Sequence, residues 1–401
     1  MPVQFRHLLF VFVLIAGCSE TRPFLRKPAP DAPLQIGDPN LRPIHTEVLT
    51  FYALGDWGSG DENQQAVANA LQRNVAEIPA NRKIPPFVVG LGDNVYEFGL
   101  AEGWNHPTTR LLLEKTFGQI YQDVRYQGQK LNFHVVPGNH DYNGVAGGKN
   151  GWGDVIQQET AAEKLYYPNW QYYPIDPAKN RDSNDSTDYF LLKKENIYDL
   201  TLPEKINLPT DSKISVVALD TQVLLELYKK KNHDLLQKHW QRLESLLEED
   251  AAWKIVIGHH AVSSHGRHAG FREWFWWVPP IILYTVIDKL FIKTLQDMDH
   301  PAHQHFVNDL KQLIRKHDVT LYLSGHEHSL EFLQIDPDHF QIVSGSAGKL
   351  TEVSHKNDTI FSHEAFGFVR FDITDHEMWI EFFQVKKDAS FGSTALFRLT
   401  K

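Results

Sequence analysis

Cysteine is almost missing from this chain: among 401 residues only Cys18 carries a thiol. No internal disulfide can form and no thiolate metal site can be built, so any metal must rest on oxygen and imidazole donors. An excess of positive charge is missing too. The formal balance is −10, from 40 basic and 50 acidic residues, which speaks against a nucleic-acid partner held by phosphate contacts. It does not exclude an anionic substrate, because local metal charge can outweigh the global sign. Internal repeats are absent as well. The chain is instead rich in material for a core, with 42% hydrophobic residues and 10 Trp, and it carries 21 His that add positive charge in acid. Its length exceeds a usual single domain, though one large α/β domain with insertions accommodates it.

The beginning of the chain has a different character from the rest. Arg6 and His7 precede the apolar run Leu8 to Ile15, which small residues Ala16 and Gly17 follow, the order of a secretory signal over residues 1–17. The run falls short of the roughly 20 residues of a spanning helix. Residues 18–46, with repeated Pro, mixed charge and little periodic hydrophobicity, read as an extended tether. Folding is expected over 47–401 as one domain.

Within that span, largely apolar runs read as strands: Val48 to Leu54, Phe87 to Leu91, Phe133 to Val136, Ile214 to Leu219, Trp253 to Ile257 and Val319 to Leu323, with the pattern of buried parallel strands clearest at Phe87 to Leu91. Helical spacing marks Asn63 to Ala76, Leu235 to Leu247 and Phe306 to His317. From Phe340 onward the pattern becomes short alternating strands, Gln341 to Ser344, Phe366 to Ile373, Met378 to Val385 and Thr394 to Leu399.

Five short polar segments follow the apolar runs in order: Leu54-Gly55-Asp56-Trp57-Gly58, Gly92-Asp93-Asn94-Val95-Tyr96, Gly138-Asn139-His140-Asp141, Gly258-His259-His260 and Gly325-His326-Glu327-His328. Each puts Asp, Asn, His or Tyr at the C-terminal end of a strand, where open α/β sheets gather their ligands. Any one Asp or Asn there reads most simply as a turn or cap residue. Jointly they form a donor set for two unlike cations, and a dinuclear site of this kind suits phosphoester hydrolysis.

As a group the five segments resemble the calcineurin-like metallophosphoesterases. Tyr96, three residues after Asp93, is similar to the purple acid phosphatases, and the chain length to their small, tartrate-resistant type. The resemblance implies an αββα sandwich, two mixed sheets flanked by helices, as a single catalytic domain. It implies a centre of Fe(III) with Fe(II), Zn(II) or Mn(II) that hydrolyses phosphomonoesters by metal-bound hydroxide. Asp93 would bridge the ions. Asp56, Tyr96 and His328 would complete the first site, and Asn139, His259 and His326 the second. His140 would orient phosphate or protonate the leaving group, with Asp141 tuning it. His268, nine residues beyond His259, sits at the offset of a phosphate-contacting His, and the nearby His265 is an alternative.

The chain departs from the family in two places. Ala261 stands where relatives carry Pro, and Arg267 where some carry an acid. The stretch 266–305 is long and includes Trp274 to Ile287, a Trp-rich apolar run interrupted by Pro279-Pro280, with three open readings: packed lid, interfacial membrane element or dimer contact. Ile15-Ala16-Gly17-Cys18 resembles a bacterial lipobox, which implies a lipid on Cys18, and Ser19 resembles lipoproteins of the outer membrane. Two further readings stay open beside the phosphatase: a metallophosphodiesterase or nucleotide pyrophosphatase on the same site, and an envelope lipoprotein whose metals are structural. The sequence leaves the oligomeric state undetermined.

Overall fold

The computed structural model describes residues 22–30, 32–97, 99–100, 107–142, 167, 169–174, 201–208, 214–270 and 294–401. The segment 1–17 expected to be a signal, Cys18 and the Trp-rich run Trp274 to Ile287 lie outside the described residues. Two eight-stranded mixed sheets dominate. The first runs, in spatial order, β1 (Phe24–Leu25), β15 (Thr359–His363), β13 (Leu330–Asp336), β14 (His339–Ser344), β12 (Leu321–Ser324), β11 (Trp253–Ile257), β10 (Ile214–Ala218) and β9 (Glu204–Lys205). The second runs β2 (Leu34–Ile36), β18 (Phe391–Thr400), β17 (Glu377–Val385), β16 (Gly367–Ile373), β3 (Leu49–Leu54), β4 (Phe87–Gly90), β7 (Asn132–Val135) and β8 (Trp170–Tyr172). A small hairpin, β5 (Arg125–Tyr126) with β6 (Gln129–Lys130), stands apart.

The parallel strands are those whose sequences lack alternation. β3 is buried at all six residues, and β4, β10 and β12 are buried throughout, because both sheet faces are covered. Phe51, Val89 and Phe371 from one sheet meet Ile255, Leu323 and Phe361 from the other in a shared core. Helices close the outer faces: α1 (Glu62–Ala76), α2 (Pro107–Leu113), α3 (Thr221–Lys230), α4 (His233–Leu247) and α5 (Pro301–Lys316). Asp61 starts α1 by accepting from the backbone N–H groups of Asn63 and Gln64, and Asp220 and Asn232 start α3 and α4 in the same way. The expected αββα sandwich is the observed architecture.

One expectation fails. Residues 22–46 do not hang free as a tether: β1 pairs antiparallel with β15, β2 pairs antiparallel with β18, and Leu34 is buried. An extended chain needs no hydrophobic period to add a strand to an exposed sheet edge, since the ladder bonds are backbone groups. Arg42, in the same stretch, reaches Asp372 at 3.4 Å and also pairs with Glu381. Among the described residues no helix is long and apolar enough to cross a membrane.

Candidate metal centre

The loops after β3, β4, β7, β11 and β12 converge at one end of the sandwich. Asp56, Asp93 and His326 adopt φ of 56°, 54° and 71°, a left-handed backbone that non-glycine residues rarely hold unless function or packing requires it. Crowding explains two neighbouring glycines. A Cβ on Gly138 would lie 2.2 Å from Asp93 Oδ1, and one on Gly92 would lie 2.5 Å from His259 Nδ1.

All seven expected ligands meet here, in two groups. In the first, the Tyr96 hydroxyl donates to Asp93 Oδ2 at 2.9 Å and to Asp56 Oδ1 at 3.0 Å, and lies 3.3 Å from His328 Nε2. His328 Nε2 lies 3.4 Å from Asp56 Oδ1. In the second, His259 Nε2 is 2.9 Å from Asn139 Oδ1 and 3.5 Å from Asp93 Oδ1, and His326 Nδ1 is 3.1 Å from Asn139 Oδ1. Asp93 is therefore common to both, one carboxylate oxygen toward each group.

The second group identifies its own occupant class. His259 Nδ1 donates to the Leu91 carbonyl at 2.8 Å, and His326 Nε2 donates to the Gln296 carbonyl at 3.0 Å. With those nitrogens committed to carbonyls, the remaining ring nitrogens, His259 Nε2 and His326 Nδ1, both turn inward. Those two nitrogens stand 3.3 Å apart beside the Asn139 oxygen. Asn139 Oδ1 and these two ring nitrogens face one point, a donor set that suits a cation. Burial first, then repulsion from His268, His260 and His259, holds His326 well below the ordinary histidine pKa, so it stays neutral and ligand-competent.

Both carboxylates are buried. Burial raises the pKa of Asp56 well above the usual range, with Asp93 adding to it. Burial also opposes ionisation of Asp93, but His259, His140 and hydrogen bonds from the His140 backbone and Tyr96 outweigh it and hold Asp93 low. The bridging position thus keeps its negative charge. Burial and both carboxylates push the Tyr96 phenol well up, which fits its role as a donor to each.

Around this pocket the expected helpers divide. His140 donates Nδ1 to the Glu97 carbonyl at 2.7 Å and holds Nε2 at 4.0 Å from Asp93 Oδ2. Burial works against its charge, yet Asp93 and Glu97 prevail and raise its pKa. His268 stacks on His326 with centroids 4.2 Å apart, and its Nδ1 lies 3.7 Å from Asp297 Oδ1. His265 instead turns to Asp358, at 2.5 Å. The Asp141 carboxylate accepts from the backbone N–H groups of Gly138 at 2.7 Å, Asn94 at 2.9 Å and Val95 at 3.1 Å and from Asn94 Nδ2 at 3.1 Å, and so clasps two ligand loops together. Arg267 is exposed, and Ala261 is buried with its carbonyl accepting from His303 Nε2 at 3.0 Å.

Sequence reasoning left out the support behind the second group. His260 is near enough to share an ion with His259 and His326, their ligand atoms lying within 4.8 Å of one another. Both its ring nitrogens are taken, by Thr221 Oγ1 at 2.8 Å and Gln296 Oε1 at 2.8 Å. It therefore braces Gln296, whose carbonyl orients His326. The doubled His of Gly258-His259-His260 was the only signal in the sequence.

The family model for calcineurin-like phosphoesterases matches residues 49–330. Purple acid phosphatase 4 of Arabidopsis thaliana is 25% identical over 353 residues, covering 84% of this chain and 80% of that protein. Tartrate-resistant acid phosphatase type 5 of Sus scrofa is 24% identical over 327 residues, covering 79% of this chain and 75% of that protein. Among solved structures, purple acid phosphatase PPD1 from yellow lupin superposes with a TM-score of 0.53 at 15% identity, covering 90% of this chain and 55% of that one.

Proposed function

The chain belongs to the calcineurin-like phosphoesterase family, and on that premise we propose that it is an acid phosphatase of the purple acid phosphatase type, hydrolysing phosphomonoesters. The observation that carries this reading is the placing of Tyr96 and Asp93. A phenol 2.9 Å from one oxygen of a buried carboxylate, whose other oxygen is 3.5 Å from an imidazole, suits ferric iron on one side and Fe(II), Zn(II) or Mn(II) on the other. Asp56, Asp93, Tyr96 and His328 would hold the first ion, and Asp93, Asn139, His259 and His326 the second. Two such ions supply Lewis-acid polarisation, charge neutralisation and an acidic water.

The remaining work falls to the chain. His140, with Nδ1 held by the Glu97 carbonyl and Nε2 beside Asp93, is the residue placed to protonate the departing oxygen. His268, backed by Asp297, offers a second positive imidazole beside His326 to orient the phosphoryl group. Asp141 keeps the Asn94 and Gly138 loops in register. We also propose that the protein sits in the bacterial envelope, anchored by a lipid on Cys18; the apolar run Leu8 to Ile15 and the residues preceding Cys18 support this. Mass spectrometry of the mature N-terminus tests it, and an unmodified Cys18 would end it.

The functional test uses metal-loaded protein with an aryl phosphomonoester and the matching diester, from acid to neutral pH. Faster monoester turnover with an acid optimum is expected. Turnover of the diester alone would favour the phosphodiesterase reading. No turnover of either would favour structural metals.

A further inference from the structure

One cation touches the pocket and belongs to none of the five ligand segments. Lys349 follows Gly345 to Gly348, a turn pressed against the Asp56 loop: Ala347 N–H donates to the Gly55 carbonyl at 3.2 Å, and a Cβ on Gly348 would lie 2.9 Å from the Asp56 carbonyl. Beyond it, Thr351 N–H donates to the His328 carbonyl at 2.9 Å. The loop is thus tied at both ends to ligand-bearing loops, which fixes where Lys349 emerges. Its Nζ lies 4.6 Å from the centroid of the Tyr96 ring and 2.7 Å from Glu97 Oε1. His140 packs against the same ring, with centroids 4.5 Å apart.

An ammonium over the face of an aromatic ring is attracted to its π electrons and, by the same interaction, lowers the energy of the filled ring orbitals. Those orbitals are the donors when a phenol oxygen binds a ferric ion. We propose that Lys349 is a positioning residue for Tyr96, which fixes the ring at the pocket mouth and sets the energy at which the phenol donates charge to a bound ferric ion. Glu97 moderates the effect, since its carboxylate neutralises part of the ammonium charge. The proposal rests on Tyr96 being a ligand of ferric iron.

The side chains of Lys349 and Glu97 are 32% and 55% exposed, so substitutions there leave the core intact. The experiment records the visible charge-transfer band and the iron content of iron-loaded protein for the wild type, K349M, K349R and E97Q. K349M is expected to move the band to longer wavelength, K349R to keep it near the wild-type position, and E97Q to move it to shorter wavelength. Iron lost from K349M but kept by K349R would equally mark the ammonium as what positions the phenol. A wild-type band that K349M leaves in place, at unchanged iron content, overturns the role of Lys349 alone. No band in the iron-loaded wild type overturns the ferric reading of Tyr96, and this proposal with it.

Discussion

The two halves of the pocket share Asp93 and little else. The half around Tyr96 opens outward: His328 and the adjoining His140 keep side-chain exposures of 20% and 21%. The half around Asn139 is sealed, with His259 wholly buried and His326 at 3%. Behind the sealed half stands another row of neutral imidazoles, His260 and His303, held by Thr221, Gln296 and the Ala261 carbonyl. The contrast separates two tasks. Backbone carbonyls and burial orient the nitrogen donors of the sealed half, whereas charged groups, Lys349, His140 and Asp93, stand around the open half.

Replacing the shared residue should erase the distinction. Asp93→Ala is expected to release ions from both halves and to lower phosphoester turnover about a thousandfold or more, since each metal supplies several kcal/mol and every 1.4 kcal/mol is tenfold. Metal analysis beside steady-state kinetics checks this. Tyr96→Phe should strike the open half alone, abolishing the visible band while the sealed half still binds a divalent ion. His260→Leu should do the reverse. Loss of its bond to Gln296 weakens the orientation of His326, so the affinity of the sealed half should fall roughly 10- to 100-fold, read by chelator competition, with the band in place.

A smaller effect separates pocket imidazoles from an ordinary buried one. His134, in β7 between Phe87 and Tyr173, is 4% exposed, and burial lowers its pKa from 6.5 to about 4. The unfolded chain takes up that proton as pH falls through 6.5 while the native state waits until about 4, so stability declines across this window as the solution is acidified. His328, lowered to about 4 chiefly by burial, adds a similar decline in metal-free protein, and metal loading should carry its share of the decline to lower pH, because a bound ion keeps that ring unprotonated only in the folded chain. His134→Phe should remove about 3 kcal/mol of the decline at most, as measured by denaturant unfolding of metal-free protein at the two ends of the window.

Strands such as β3, β11 and β12 were legible because parallel strands buried on both faces leave largely apolar runs, and each runs into a ligand. The ligands were legible as a set, since donor types at successive strand ends carry information that no single Asp or His does. Other features had no local signal. β1 and β2 are too short for periodicity, and they join the sheets by pairing antiparallel with β15 and β18. Gln296 and Asp297 act from within the long stretch 266–305, far from His326 and His268 in sequence or without a motif to mark them. The clasp made by Asp141 had no local signal, because the N–H groups of Gly138, Asn94 and Val95 meet its carboxylate only once two loops are folded together.

The central claim is that one carboxylate divides two metal positions. Anomalous scattering from a crystal of the metal-loaded protein tests it most directly. The account predicts two ions about 3.5 to 4 Å apart, one beside Tyr96, Asp56 and His328 and the other beside Asn139, His259 and His326, with Asp93 between them. A single ion, or ions that leave Asp93 free, would contradict it.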